Sequence, residues 1–173
     1  SFALMNAALH GNPQAELKLI AVSGTDGKSS TADFLHQLLS FEGIPAGLFS
    51  TTSIDDGAGK IPSPYRISTP EADLLYAFLD RCRANRMEYV IIEATSHALS
   101  EEYSRLYGLT FEIGIITTLS GDHIEFHGSR EAYLEAKLSL LGMIRPRGHF
   151  ISSVENRELD RCLKTLDSSI HPH

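Results

Sequence analysis

Leu17-Lys18-Leu19-Ile20-Ala21-Val22-Ser23-Gly24-Thr25-Asp26-Gly27-Lys28-Ser29-Ser30-Thr31 decides the fold. The short apolar run ending at Val22 stops at a Ser/Gly/Thr/Asp/Gly cluster, the pattern of a buried strand entering a tight turn. From Ser30 to Glu42, Phe34, Leu35, Leu38, Leu39 and Phe41 recur at helical spacing, and Gly43 supplies the stop. A strand, a glycine-rich turn and a helix in succession can wrap backbone N–H groups around phosphate oxygens, with the helix N-terminus adding positive potential. Lys28 adds a mobile charge, and the Ser29 hydroxyl can ligate Mg²⁺. Gly24, Thr25, Asp26, Gly27, Lys28, Ser29 and Ser30 are therefore candidate phosphate-binding residues. The strict phosphate-loop pattern fails, because Val22 stands where its first glycine belongs. The bland alternative is a glycine turn before an ordinary helix. The coincidence of strand, turn, Gly-Lys-Ser and helix favours the phosphate site.

Outward from this segment, strands and helices alternate. Ala46 to Ser50 reads as a strand, and residues 53–68, rich in Gly, Pro, Ser and Asp, as a loop or irregular hairpin. Thr69-Pro70-Glu71 has the form of a helix start, with Leu74, Leu75, Phe78 and Leu79 lining one face up to about Asn85. Tyr89 to Ile92 and Ile113 to Thr117 are strands. Ser129 to Leu141 is an amphipathic helix with Tyr133, Leu134, Leu138 and Leu141 as its stripe. His149 to Ile151 is a last strand, and a helix is expected from Arg157 to Leu166. This alternation predicts an α/β fold, a mostly parallel sheet with helices on both faces and phosphate-loop topology. Ligands in such sheets collect beyond the carboxyl ends of the strands, and polar clusters follow Val22, Ile92 and Thr117.

Composition narrows the function classes. With 173 residues, 42% of them apolar and 21% charged, the chain holds enough apolar material for one ordinary domain. Lys and Arg number 15 against 22 Asp and Glu, a net charge of −7 that argues against nucleic-acid binding. Apolar runs are too short for a membrane span. Cys82 and Cys162 stand far apart, outside any C-x-x-C pattern, and read as ordinary intracellular thiols, so a cytoplasmic location is expected.

Three further segments could carry chemistry. Glu93 ends a strand and precedes Ala94-Thr95-Ser96-His97. A carboxylate there, level with a phosphate loop, suits Mg²⁺; in isolation it is more often a solvated loop acid. Asp122-His123-Ile124-Glu125-Phe126-His127-Gly128 is either a metal cluster or a set of loop caps and bridges. Lys137 lies on an apolar-patterned helix, where a lysine is ordinarily solvated or snorkelling.

Taken together, four ordered motifs resemble the Mur ligases, ATP-dependent amide-bond-forming enzymes of peptidoglycan precursor synthesis. They are Gly24 to Ser29, Glu93-Ala94-Thr95-Ser96-His97, Thr117-Thr118-Leu119-Ser120-Gly121-Asp122-His123 through His127-Gly128, and Tyr133-Leu134-Glu135-Ala136-Lys137. The resemblance spans about residues 18 to 155. Ser68-Thr69-Pro70 and the Ser-His after Glu93 favour the branch that adds the third amino acid to UDP-N-acetylmuramoyl-dipeptide; folylpolyglutamate synthases and other Mur-type ligases share the remaining logic. The family has three domains, and the resemblance implies that residues 18–173 are the central ATP-binding one. Residues 1–17 would then lead in from an N-terminal domain, with a carboxy-terminal domain also outside the chain.

The resemblance also implies roles. Lys28 and the loop amides would hold the ATP phosphates, and Ser29 with Glu93 one Mg²⁺. His123 would bind a second Mg²⁺. Lys137 would be carbamylated, which turns an amine into a carboxylate-like group beside the metal. Thr69, Thr95 and Arg105, with Ser68 and Ser96 beside them, would face the UDP-muramoyl-peptide, and a free amino acid would be the other substrate. A substrate carboxylate would attack the γ-phosphate to give an acyl phosphate, which the incoming amine then displaces. This chain departs from the family pattern at Asp26 and Thr118, each in place of Asn, at Ser30 in place of Thr, and at Gly121 in place of Arg. Ser152 to Asn156 stands where the family carries Asn-x-Asp-Asp.

Overall fold

The structure, a computed structural model, describes residues 1–65, 67–100, 105–119, 129–153 and 159. Strand β1 (Lys18–Ser23) lies inside a seven-stranded sheet, flanked by β5 (Tyr89–Glu93) and β6 (Phe111–Ile116). Beyond β5 lies β2 (Ala46–Phe49), and beyond β6 lies β7 (Ile144–Ser152); all these pairings are parallel. Residues 53–68 contain an antiparallel hairpin, β3 (Ser53–Asp55) and β4 (Ile61–Pro62), which extends the sheet past β2. The predicted mostly parallel sheet is thus observed.

Successive side chains of β1 point to opposite faces, and both faces are covered, so the strand reads as a nearly continuous apolar run. Leu19 and Ala21 join a large core with α1 (Phe2–Leu9) and α3 (Ala72–Ala84). Ile20 and Val22 meet α2 (Lys28–Phe41) through Ala32, with Leu48 and Ile91 beside them. Ala3 and Ala7 of α1 are buried in the core. No helix among the described residues is long and apolar enough to cross a membrane. The Cys82 thiol is buried and its pKa is pushed up by desolvation, which leaves it unreactive.

Several local expectations shift. On α2 the period is right and the phase is not. The helix seats Ala32 and His36 against the sheet with Leu35 and Leu39 half-buried, while Phe34, Leu38 and Phe41 are 69%, 57% and 86% exposed. Small Ala32 brings the helix close on that face and turns the phenylalanines outward. Helix α3 begins at Ala72 with Glu71 at its cap, not at Thr69-Pro70, because the Thr69 hydroxyl is engaged elsewhere. The helix read from Ser129 is α5 (Arg130–Gly142), capped by the Ser129 hydroxyl, which accepts from the Ala132 N–H at 3.1 Å. Its buried face is Tyr133, Ala136, Lys137 and Leu140, one residue out of phase with the predicted stripe. Strand β7 is longer than expected and irregular: Phe111 pairs with Ile144 and Ile113 with His149, so Arg145 to Gly148 bulges opposite Glu112. The helix expected at 157–166 lies outside the described residues, apart from Leu159.

Candidate nucleotide and metal site

Register brings the candidates together. In the sheet Val22 pairs with Glu93 and Ser23 with Ile116, so the ends of β1, β5 and β6 are level. At the first end, Gly24 has φ +140°, and a Cβ there would lie 1.9 Å from Thr117 Oγ1. Only glycine fits. Gly27, at φ +78°, is the N-cap of α2 and offers no side chain to cap it. The first intrahelical bond is donated by the Thr31 N–H to Gly27 O at 2.9 Å. The N–H groups of Lys28, Ser29 and Ser30 therefore have no partner inside the helix and carry the positive end of its dipole. Not every loop amide is available in this way. The Thr25 N–H donates to Thr118 O at 2.8 Å and the Asp26 N–H to Thr118 Oγ1 at 3.0 Å. The Thr117 hydroxyl donates to Asp26 O at 2.5 Å. Lys28 Nζ folds back onto the loop, donating to Thr25 O at 2.7 Å and Gly24 O at 3.1 Å.

At the second end Glu93 is fully buried. Its Oε2 accepts from the Thr51 N–H at 3.2 Å and the Thr51 hydroxyl at 2.7 Å. Its Oε1 has no partner among the described residues, nor has the buried Ser23 hydroxyl. A buried carboxylate oxygen left bare is costly, and a hard cation would relieve it. The solvated-acid alternative for Glu93 is excluded. No group of three or more His, Cys, Asp and Glu forms a metal cluster among the described residues. The donor set present, a carboxylate and hydroxyls beside a phosphate cradle, suits Mg²⁺. His123 and the rest of Asp122 to Gly128 lie outside the described residues.

The candidate substrate residues gather around the same strand end. The Thr69 hydroxyl donates to Glu93 O at 2.7 Å and accepts from the Thr95 N–H at 3.1 Å. Thr95 caps the short helix α4 (Ser96–Leu99), accepting from the Ala98 N–H at 3.2 Å. Ser68 Oγ lies 2.7 Å from Thr51 Oγ1. Arg105 donates to Thr69 O at 3.1 Å and pairs with Glu71 at 2.5 Å. Ser68, Thr69, Thr95, Ser96 and Arg105 thus share one neighbourhood.

Lys137 is 2% exposed, which overturns the solvated reading. Its Nζ donates to Gly24 O and sits 4.8 Å from the centre of the Tyr133 ring. Burial drives its pKa down to about 7; the charge on Lys28 adds to the fall and Asp26 opposes it. Near neutral pH, much of this amine is therefore unprotonated and nucleophilic.

The family model described as Mur ligase middle domain matches residues 22–171. The chain belongs to this family. A UDP-N-acetylmuramyl-tripeptide synthetase from Borreliella afzelii is 41% identical over 132 residues, covering 76% of this chain and 26% of that protein. The chain thus spans about a quarter of the length of the curated relatives it matches. Among solved structures, a UDP-N-acetylmuramoyl-L-alanyl-D-glutamate–2,6-diaminopimelate ligase superposes with a TM-score of 0.76 at 27% identity, over 95% of this chain and 33% of that one. A MurF ligase from Thermotoga maritima, solved with ADP, gives a TM-score of 0.69 at 16% identity, over 95% of this chain and 35% of that one, a likeness of fold.

Within this Mur-ligase domain, sequence reasoning missed Thr51 and Tyr133. Thr51 sits in a turn after β2, and nothing local marks it as the partner of a carboxylate 42 residues away. Tyr133 reads from sequence as core and as the first residue of a family motif, with no role for its hydroxyl, yet that hydroxyl lies 2.7 Å from Thr25 Oγ1.

Proposed function

We propose that this chain is the ATP-binding core of an amide-bond-forming ligase that adds the third amino acid to UDP-N-acetylmuramoyl-dipeptide. The observation that carries the reading is the pairing of an uncapped, donor-rich helix N-terminus with a Glu93 oxygen on the neighbouring strand that has no partner among the described residues. Lys28 and the amides of Lys28, Ser29 and Ser30 bind the β- and γ-phosphates of the ATP substrate. Ser29 and Glu93 hold Mg²⁺, which neutralises phosphate charge when bound. His123 and a carbamylated Lys137 hold a second ion. Ser68, Thr69, Thr95, Ser96 and Arg105 orient the UDP-muramoyl-peptide so that its carboxylate meets the γ-phosphate in line. The resulting acyl phosphate is then opened by the amine of the incoming amino acid. Catalysis in the first step is positioning and charge neutralisation. Flanking domains of the same enzyme complete the UDP and amino-acid sites, so the isolated chain has little ligase activity, and the setting is the cytoplasm.

A folylpolyglutamate-synthase-like or other Mur-type amide ligase would use the same loop and carboxylate. Ser68-Thr69-Pro70, placed against Glu93, and the 41% identity to a tripeptide synthetase favour the muramoyl substrate. A non-catalytic nucleotide switch would bind ATP without releasing ADP in response to a substrate carboxylate. The test is calorimetry with ADP and Mg²⁺. Lys28→Ala should abolish binding, and Glu93→Gln should remove its Mg²⁺ dependence while leaving the fold intact. Unchanged affinity in Lys28→Ala would overturn the phosphate assignment.

A further inference from the structure

The phosphate loop is held from three directions, and all three converge on Thr25. Its N–H is bound by Thr118 O at 2.8 Å, from the end of β6. Its carbonyl accepts Lys28 Nζ at 2.7 Å, from α2. Its hydroxyl meets the Tyr133 hydroxyl at 2.7 Å, from α5, across 108 residues of sequence. Tyr133 is 1% exposed and Thr25 5%, so this last contact is shielded from water. Hydroxyls buried together and paired are directional, and deleting either one removes this bond. The same Tyr133 ring presents its face to Lys137 Nζ at 4.8 Å, and that amine donates to Gly24 O, the residue before Thr25. One side chain therefore touches both the loop that would hold phosphate and the lysine that would sit beside the metal.

We infer that Tyr133 is a positioning residue for nucleotide binding: through Thr25 its hydroxyl fixes the phosphate loop and keeps it in register with Lys137. The inference rests on the nucleotide-binding reading above and extends it to a residue outside the loop. The ring alone satisfies the demands of core packing, because a phenylalanine in its place would fill nearly the same volume in the same rotamer. The hydroxyl is needed for the loop. Without it Thr25 keeps its backbone bonds to Thr118 and Lys28 but loses its tie to α5, and the amides beyond Gly27 lose part of their fixed aim at an anion.

The test compares the unaltered chain with Tyr133→Phe, Thr25→Val and the double variant, reading Mg·ADP affinity by calorimetry and the urea midpoint of unfolding. Each single variant is expected to weaken ADP binding by roughly three- to thirtyfold, the worth of one buried hydrogen bond. The double variant should be no weaker than either single one, because both delete the same bond. The urea midpoint should fall as well, by no more than one buried hydrogen bond is worth, so the affinity decides the assignment. A Tyr133→Phe chain that binds ADP as well as the unaltered one, or whose loss simply adds to that of Thr25→Val, would overturn the inference while leaving the nucleotide reading intact. A fall in the urea midpoint with unchanged affinity would assign the hydroxyl to folding and overturn it too. If the unaltered chain binds no ADP, the nucleotide reading fails first, and the inference falls with it.

Discussion

The ends of β1 and β5 lie side by side and are built on opposite principles. The β1 end is a surplus of donors: uncapped amides of α2, the Lys28 ammonium and the buried Lys137 amine crowd around Gly24. The β5 end is a surplus of acceptors: Glu93 is fully buried and half of its carboxylate has no partner among the described residues. Neither end is comfortable alone. The first would favour an anion and the second a cation, and the proposed metal–phosphate complex would supply both at once. The parallel register that sets Val22 opposite Glu93 is what turns two local imbalances into one site.

The harshest way to break the comparison is at Gly24. Alanine there would place its Cβ 1.9 Å from Thr117 Oγ1 on a backbone with φ +140°. Gly24→Ala should cost about 3 kcal/mol or more in urea unfolding, by collision and backbone strain together. Replacing Thr117 by Ala in the same chain should remove the 1.9 Å contact but leave the strain and the tight approaches to Thr118 N and Thr117 Cβ, so only part of the loss returns. The residue after β5 is an ordinary Ala94, so Ala94→Gly should leave ADP binding far less affected than Gly24→Ala does.

The two ends also differ in how legible they were. Gly24 to Ser29 could be read locally, because glycines, a lysine and a hydroxyl at the mouth of a helix carry their meaning in adjacent residues. Glu93 was named by its place at a strand end, but its burial and the bare oxygen depend on Thr51 and Thr69, which the fold brings from other segments. Thr69 looked like a helix cap because a hydroxyl before Pro-Glu usually is one; a buried carbonyl of β5 claimed it instead. Helical phase was the other loss. Periodicity locates an amphipathic helix, yet on α2 and α5 several apolar positions competed for the inner face. The choice fell to Ala32 on one and to Lys137 on the other. A lysine on the inner face runs against hydrophobic patterning, so only the family resemblance marked it.

Lys137 tests whether the β1 end is truly overcrowded with positive charge. In the folded chain its amine holds a proton only below about pH 7, against 10.5 for an ordinary lysine. Between these values the unfolded chain binds more protons, so stability should rise with pH across that window. Below pH 7 both states are protonated and the full cost of a buried ammonium remains. The slope should reach about 1 kcal/mol per pH unit, and Lys137→Met should abolish it. The Met variant should be the more stable at pH 7, on the order of a few kcal/mol, with its advantage shrinking to nothing by about pH 10.5. Urea midpoints at several pH values would read this directly. A wild-type profile flat from pH 7 to 10 would mean that the amine is better solvated than its burial implies.

The smallest effect concerns a charge in the loop that contradicts its surroundings. Asp26 places an exposed carboxylate within the donor-rich loop, where the family pattern has Asn, and its backbone is held on both sides by Thr117 and Thr118. That carboxylate would repel a bound phosphate, with a like-charge cost near 1 kcal/mol at about 4 Å in water. Where Lys137 is not carbamylated, Asp26 also supports the protonated form of its amine, which would attract the same phosphate. The two effects oppose each other, and distance decides between them: the repulsion acts directly, whereas the support for Lys137 acts through an intermediate group. Asp26→Asn should therefore strengthen ADP binding by about threefold at low ionic strength. Because the carboxylate is exposed, the gain should fade as salt shortens the screening length toward roughly 3 Å at 1 M. Calorimetry at 20 mM and 1 M salt separates the possibilities. A gain that survives high salt would place Asp26 inside the phosphate site itself, and a loss of affinity would show that its main partner is Lys137.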